Sequence, residues 1–401
     1  MNAMRNTVTL RVKPQQLKAY RNKYPLINLD RVQDHNNLTN EGDLIRLTEP
    51  QGNFIGTGYY GKQNKGLGWV LSWNENEKID HNFFKQKIKA AISNRQKFYT
   101  NEDTTAFRVF NGEGDGIGGF SIDYFAGYYL IQWYSEGIYS FRDDVIQVLD
   151  EATEYKAIYE KKRFDTKGKY VEDDDFVKGE RAEFPLIIKE NGMNYAVDLN
   201  DGAMVGIFLD QRNVRKRIRD RYAKGRRVLN TFSYTGAFSV AAVLGGAAHT
   251  TSVDLAKRSK PLTIEQFSMN EIDFEAQDII VMDVFDYFRY AKRKDRMFDL
   301  VILDPPSFAR SKKRNFSTTK DYSWLIEETL AITEKNGVII ASTNTATLGM
   351  DKFKKLIDQG FQAMNSKYRI LEEFSLPEDF QVNKYFKEGN YLKVLFIEKL
   401  S

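Results

Sequence analysis

The residue types and spacings best suited to chemistry lie in the second half of the chain. The most specific run is Asp304-Pro305-Pro306-Ser307-Phe308. Its two prolines stiffen the backbone and remove two N–H donors, so their carbonyls are free to face a substrate base. Phe308 can stack on such a base. A plainer reading needs only a rigid turn and a core phenylalanine. Upstream, Leu229-Asn230-Thr231-Phe232-Ser233-Tyr234-Thr235-Gly236 reads as a strand running into a helix. Asn230, Ser233, Thr235 and Gly236 fall at the turn, where glycine lets a ligand approach the backbone closely. The turn is not G-x-G-x-x-G, which disfavours a pyrophosphate-cradling dinucleotide site. A ligand without phosphate, such as S-adenosylmethionine, suits it better. Two more acids stand at predicted strand ends. Asp254 is placed to accept from ribose hydroxyls and Asp283 to meet an adenine amino group. Any one of these acids could be an ordinary helix cap or turn residue. Four consecutive strands ending at Asn230, Asp254, Asp283 and Asp304 point instead to one nucleotide-type pocket.

The elements that must position these residues follow from the pattern around them. Predicted strands at 227–232, 250–254, 278–283, 299–304 and 337–343 alternate with helical stretches such as 237–244 and 322–333. Apolar strands alternating with helices imply a parallel sheet covered on both faces, with ligands at the carboxyl ends of the strands. Two last strands, 368–374 and 391–398, have no long helix between them, so one is expected to run antiparallel at the end. The first 73 residues read differently. Short period-two strands at 7–12, 43–47, 54–60 and 68–72, with frequent glycines between them, suggest a small β-barrel. Between the two lies an α+β region. It has a helix near 80–100, a glycine-rich run from Asn111 to Phe120, strands at 120–123 and 128–133, and a helix at 140–151. Residues 161–179 read as an exposed charged connection. The expected domains are 1–75, 76–190 and 191–401, within the two or three that 401 residues imply.

Composition closes off several classes. The chain has no cysteine, which excludes disulfides, zinc–thiolate sites and any thiol nucleophile. Its three histidines, His35, His81 and His249, are far apart, so no metal centre is expected. No apolar run reaches membrane-spanning length and no secretory h-region opens the chain, so a soluble, cytoplasmic protein with no membrane partner is expected. Net charge is only +4, so local clusters say more than the total. Arg310, Lys312, Lys313 and Arg314 follow the D-P-P-S-F run directly and are candidates for RNA phosphate contact. Lys161, Lys162 and Arg163 form a second cluster that is equally open to a solvated reading. Residues 211–224 read as a basic helix with Val214, Ile218 and Tyr222 as its apolar stripe.

With these residues in hand, the chain resembles the bacterial large-subunit ribosomal RNA methyltransferases that carry an N-terminal PUA domain. The resemblance spans essentially the whole sequence and is loosest over residues 1–75. Its carriers are V-F-N-G-E-G-D-G-I-G-G-F-S-I-D in the middle region, G-I-F-L-D-Q-R at 206–212, L-N-T-F-S-Y-T-G and L-D-P-P-S-F, in that order. It implies an α/β fold class: a C-terminal Rossmann-like class I methyltransferase domain, a PUA-like β-barrel and a central α+β domain. S-adenosylmethionine is the implied cofactor and large-subunit ribosomal RNA the implied partner. Phe208, Asp210, Gln211 and Arg212 would help close the cofactor pocket, and Phe232 and Tyr234 join it through the matched turn. Many relatives of this kind are dimers, so the resemblance implies a homodimer.

One departure from the family pattern bears on the reaction. A branch of the family methylates carbon 5 of cytosine, a poor nucleophile that enzymes normally activate by adding a thiolate to the ring. Here Asn344, in S-T-N-T, stands near the position where that branch has its cysteine. The pattern looks more like the branch that methylates the 7-nitrogen of guanine, whose exposed lone pair needs no covalent step. Catalysis would then be orientation and desolvation, with Asp304, the proline carbonyls and Asn344 holding the guanine. An exocyclic amine is the competing target, although the usual amine pattern places an aromatic directly after the prolines, where this chain has Ser307. Cytosine methylation by a route without cysteine, a non-catalytic RNA-binding assembly factor and a small-molecule methyltransferase are further alternatives.

Overall fold

The computed structural model describes residues 5–63, 66–164, 170, 171, 173–310 and 315–401, with Ala309 and Arg310 described by backbone only. Contacts divide the chain into two compact units. One comprises residues up to Leu186, Asp198–Val205 and Glu378–Gly389; the other comprises Ile187–Val197, Gly206–Pro377 and Asn390–Ser401.

In the first unit, strands Thr7–Arg11, Leu44–Thr48, Phe54–Gln63, Gly66–Ser72 and Leu26–Ile27 form one sheet in that spatial order. An isolated antiparallel bridge joins Val12, just past the first of these strands, to Val32, five residues past the last, so the chain beyond the two edges is brought together. A second five-stranded sheet contains Ala106–Asn111, Phe120–Phe125, Tyr128–Trp133, Ala157–Lys162 and Phe176–Gly179. Helix His81–Asn94 begins where Asp80 accepts from the Phe83 amide at 3.2 Å. It buries Phe84 and Ile88, two of the three apolar positions that the four-residue spacing predicts. The expected boundary near residue 75 falls inside this unit. A single apolar cluster contains Leu26, Tyr59, Trp69 and Leu71 together with Phe84, Phe107, Ile131 and Trp133.

The stretch 161–179 is not simply an exposed connection. Lys161 is buried, with its ammonium 2.7 Å from Asp175, which also accepts from the Tyr170 hydroxyl at 2.8 Å. Lys162 pairs with Asp173, and Arg163 donates to Gln132. The carboxylate of Asp175 offsets the cost of burying the Lys161 charge, so this cluster is structural.

The second unit is built on a seven-stranded sheet. Its strands, in chain order, are β1 (Arg227–Thr231), β2 (His249–Asp254), β3 (Asp278–Val281), β4 (Phe298–Leu303), β5 (Thr333–Thr343), β6 (Tyr368–Phe374) and β7 (Lys393–Lys399), and the spatial order is 3-2-1-4-5-7-6. The first five are parallel. Helices α1 (Ala237–Leu244), α2 (Ser259–Ser268), α3 (Val284–Arg293), α4 (Thr318–Leu330) and α5 (Met350–Ala363) connect them or flank the sheet. The antiparallel strand is β7, and it lies inside the sheet between β5 and β6 rather than at its end. Burial explains the placement. Val394 to Ile397 are fully buried, whereas β6 carries Glu372 and Glu373 and tolerates the edge. The order reverses between β1 and β4, which places a topological switch point beside the turns that leave those strands.

Candidate functional site

The turn after β1 is held in an unusual backbone. Phe232, Tyr234 and Gly236 all have positive φ, at 53°, 50° and 78°. For the two aromatic residues this conformation costs about 1–2 kcal/mol each. Hydrogen bonds hold it: the Ser233 amide donates to Val253 O (3.1 Å), the Tyr234 amide to Asp254 Oδ2 (2.9 Å) and the Gly236 amide to Ser233 O (2.7 Å). Any side chain at 236 would meet the Thr263 methyl at 2.6 Å.

Asp254 and Asp283 both perform the plainer role. Asp254 accepts the amides of Tyr234 and Ala256, while Asp283 caps α3 by accepting from Phe285 and Asp286. A carboxylate has about four lone-pair positions, so these bonds leave acceptor capacity, chiefly on Asp254.

A strap, residues 206–212, packs against this turn. The Gly206 amide donates to the Tyr234 hydroxyl (3.1 Å), and the Thr235 hydroxyl donates to Gly206 O (2.7 Å). Phe208 remains 42% exposed beside Tyr234, with ring centroids 5.6 Å apart. Its carbonyl accepts from Arg215 at 2.7 Å, and Arg215 is itself fully buried in a two-bond pair with Glu190 (2.7 and 2.6 Å). Arg215 is therefore not on a solvated helix face. The other cations of this helix are also engaged: Lys216 with Asp220 and Arg217 with Glu372. The helix is short, running from Arg212 to Arg217 before a wider turn at Ile218–Tyr222. Arg212 is buried near its start, and Asp210 accepts from the Tyr391 hydroxyl at 2.9 Å.

Gln211 joins the strap to the end of β4. Its Nε2 donates to Asp304 Oδ1 (3.2 Å) and to the Ser342 hydroxyl (2.9 Å). Burial pushes the Asp304 carboxyl up to about 6, against a lowering by Ser342, with the nearby Asp210 charge adding to the rise. Two buried side-chain amide oxygens have no partner among the described residues, Oε1 of Gln211 and Oδ1 of Asn230. These residues are 3% and 0% exposed. Unsatisfied buried acceptors are rare, and here they accompany two carboxylates, Asp254 and Asp304, at the ends of β2 and β4, the two strands that flank β1. A ligand rich in donors and positive charge fits such a set, as S-adenosylmethionine does with its ammonium, sulfonium and ribose hydroxyls.

Beyond Asp304, Pro305 is buried and Pro306 exposed. Phe308 is 76% exposed, which removes the reading of it as a core residue. It opens a two-stranded ribbon, Phe308–Arg310 with Asn315–Ser317. The Ser307 hydroxyl donates to Asn344 Oδ1 (3.0 Å) and shares a hydrogen bond with the Thr345 hydroxyl (3.0 Å). The D-P-P-S-F run and the S-T-N-T loop are thus joined by side chains. Of the basic run, Arg310 is described by backbone alone, and Lys312, Lys313 and Arg314 lie outside the described residues. Among the described residues no group of acids and histidines could hold a metal ion, and no helix is long and apolar enough to cross a membrane.

Sequence reasoning missed Ser342, Tyr391, Glu190 and Lys393. Lys393 left a signal: it is a lone charge in the otherwise apolar run Leu392–Ile397. Glu190 left none, because its partner lies 25 residues further along.

Comparison with known proteins identifies the family and the fold. The S-adenosylmethionine-dependent methyltransferase family matches residues 118–382, and the PUA-like domain matches residues 10–73. A Bacillus subtilis protein with the provisional name ribosomal RNA large subunit methyltransferase YwbD is 63% identical over 378 residues, 94% of this chain and 96% of its own. The ribosomal RNA large subunit methyltransferase I of Yersinia pseudotuberculosis is 28% identical over 88% of this chain and 89% of its own. The crystal structure of SMU.776, provisionally named a methyltransferase and complexed with SAH, superposes with a TM-score of 0.90. It is 40% identical and covers 98% of this chain and 100% of its own.

Proposed function

The chain belongs to the S-adenosylmethionine-dependent methyltransferase family, and on that premise we propose that it methylates a base of large-subunit ribosomal RNA, with the 7-nitrogen of a guanine as the target atom. The ribosomal substrate comes from the names of the 63% and 28% identical relatives. The target atom rests on one observation, the Asp304–Phe308 segment and its partner Asn344 in a chain with no cysteine.

Each residue has a role in this reading. Phe208, Asp210, Gln211, Arg212, the turn Asn230–Gly236, Asp254, Asp283 and Asp304 hold the cofactor, which when bound supplies an activated methyl group. Phe308 stacks on the target base. Asp304, ionised, accepts from the N–H groups of the guanine Watson–Crick edge. Asn344 spends its oxygen on Ser307, which leaves its NH2 to donate to the guanine carbonyl. The carbonyls of Pro305 and Pro306 line the same edge. Nothing in this set must remove a proton from the nucleophile, because nitrogen 7 carries none. The protein's contribution is alignment and exclusion of water. Arg310, Lys312, Lys313 and Arg314 supply phosphate contacts that position the RNA.

Methylation of an exocyclic amine is the second reading, favoured by the elevated pKa of Asp304, since a carboxylate titrating near neutrality is a better proton acceptor than an ordinary one. Nucleoside mass spectrometry of ribosomal RNA from cells with and without the gene separates the two. Loss of 7-methylguanosine from large-subunit RNA is the expected result. Loss of an amine-methylated base would replace the guanine assignment with the second reading. An unchanged nucleoside profile would sink both. The reading places the enzyme in the cytoplasm with its substrate. It also carries the expectation of a homodimer, which sedimentation velocity of the full chain measures.

A further inference from the structure

Lys393 opens β7 opposite Thr343, the last residue of β5. It is 5% exposed. Its ammonium donates to the carbonyls of Thr345 (2.8 Å) and Tyr391 (2.7 Å), and among the described residues no carboxylate pairs with it. Burial alone pulls its pKa down to about 8. A buried cation without a counter-ion is costly, and a methionine of similar length would fill the same space without that cost. What the two carbonyls belong to offsets it. Thr345 follows Asn344, and both side chains meet the Ser307 hydroxyl. Tyr391 holds Asp210 through its hydroxyl, and Asp210 adjoins Gln211, the partner of Asp304. One ammonium therefore ties the backbone of the Asn344 loop to the backbone of the residue that anchors the strap.

We propose that Lys393 is a positioning residue for methyl transfer, setting the Asn344–Thr345 loop against the Asp210–Gln211 strap without touching either reactant. The inference rests on the assignment of Asn344 to the base side and of the strap to the cofactor side. Displacing aligned groups by about 1 Å can cost on the order of a hundredfold in rate, so Lys393→Met is expected to lower kcat at least about tenfold.

The test measures methyl transfer from labelled S-adenosylmethionine to ribosomal RNA from cells lacking the gene. It uses the wild-type chain, K393M, N344A and the double variant. Calorimetry of SAH binding and amide exchange accompany it. In K393M the SAH Kd is expected to stay within about threefold while kcat falls. The double variant is expected to be no slower than the worse single variant by more than about twofold, since residues acting as a unit are not additive. Unchanged kcat in K393M, or losses that multiply in the double variant, would overturn the proposal.

If the wild-type chain binds SAH but methylates no ribosomal RNA, the proposed function fails instead, and Lys393 is judged by exchange alone. Amides of 344–348 should then exchange at least about tenfold faster in K393M while those of 237–244 stay unchanged; equal protection in both would refute the proposal. Should K393M not fold, K393R, which keeps the charge and the donors, replaces it. Protection of 344–348 and kcat near wild type in K393R support the role, and loss of both with the fold intact contradicts it.

Discussion

At neutral pH Asp304 carries a charge that its surroundings disfavour. Its folded pKa is about 6, against about 3.9 for an unperturbed aspartate. The folded state therefore binds an extra proton between those values. The stability this proton contributes is full below about pH 4 and is lost as pH rises through 6. Above that, the ionised carboxylate burdens the fold. Asp304→Asn keeps an oxygen for Gln211 to donate to and removes the charge. It should raise stability at pH 8 by about 2 kcal/mol, read from urea unfolding, while abolishing methyl transfer. A variant that is less stable at pH 8 would mean that the carboxylate is a structural partner. The same titration predicts an acid limb in kcat/KM with a midpoint near 6, because only the ionised form accepts two guanine donors. A profile flat down to pH 5 would remove Asp304 from base recognition. Residue types at strand ends were legible from sequence because the sheet's periodicity shows where strands stop. The division of labour among them was not. Asp283 caps α3 as any N-terminal aspartate does, and no spacing rule distinguishes a cap from a ligand acceptor.

At the level of elements, the strap 206–212 depends on a pair that periodicity places wrongly. The 3.6-residue repeat puts Arg215 on the polar face of its helix. It is buried because the hairpin Leu186–Glu190 with Met193–Val197 brings Glu190 against it. Removing one partner of such a pair leaves an uncompensated buried charge and costs about 3–5 kcal/mol, whereas replacing both by apolar residues is often neutral. Arg215→Met should therefore lower stability by that amount in urea unfolding and weaken SAH binding, since Phe208 loses the donor to its carbonyl. E190L/R215M should recover most of the stability but not the affinity, because the carbonyl contact is still missing. Recovery of both would show that the strap does not need Arg215. The ribbon that begins at Phe308 makes a separate prediction. Phe308→Ala should cut kcat/KM for RNA by the roughly 1–3 kcal/mol typical of base stacking, with SAH affinity unchanged. Neutralising Arg310, Lys312, Lys313 and Arg314 together should flatten the salt dependence of RNA binding. An unchanged slope would return that run to the solvated surface.

At the scale of the whole molecule, the glycine-rich run 111–120 shows where a family pattern is legible and its cause is not. Its order of residues carried the resemblance, but not the reason for its glycines. The structure gives them a packing role within the first unit. A Cβ on Gly118 would lie 2.2 Å from the Trp69 ring, and one on Gly119 would lie 2.1 Å from the Tyr59 hydroxyl. That hydroxyl donates to Gly118 O at 2.9 Å. The run is the seat on which two large residues of the N-terminal barrel rest, so barrel and central sheet share one core where sequence suggested a boundary near 75. Local patterning cannot reveal this, because the partners lie about fifty residues apart. Gly118→Ala should destabilise the protein by about 1–3 kcal/mol through overpacking while leaving SAH binding intact below the unfolding temperature. A chain shortened to 76–401 should fare far worse. It would lose Leu26, Tyr59, Trp69 and Leu71 from the shared cluster and uncover Phe141 and Phe386, against which Tyr59 and Trp69 pack, a surface that drives aggregation. Thermal unfolding followed by circular dichroism is expected to show no cooperative transition for the missing portion of that core. A sharp transition at the full-length midpoint would mean that the central sheet completes its core without the barrel, and that the boundary read from sequence is a physical one.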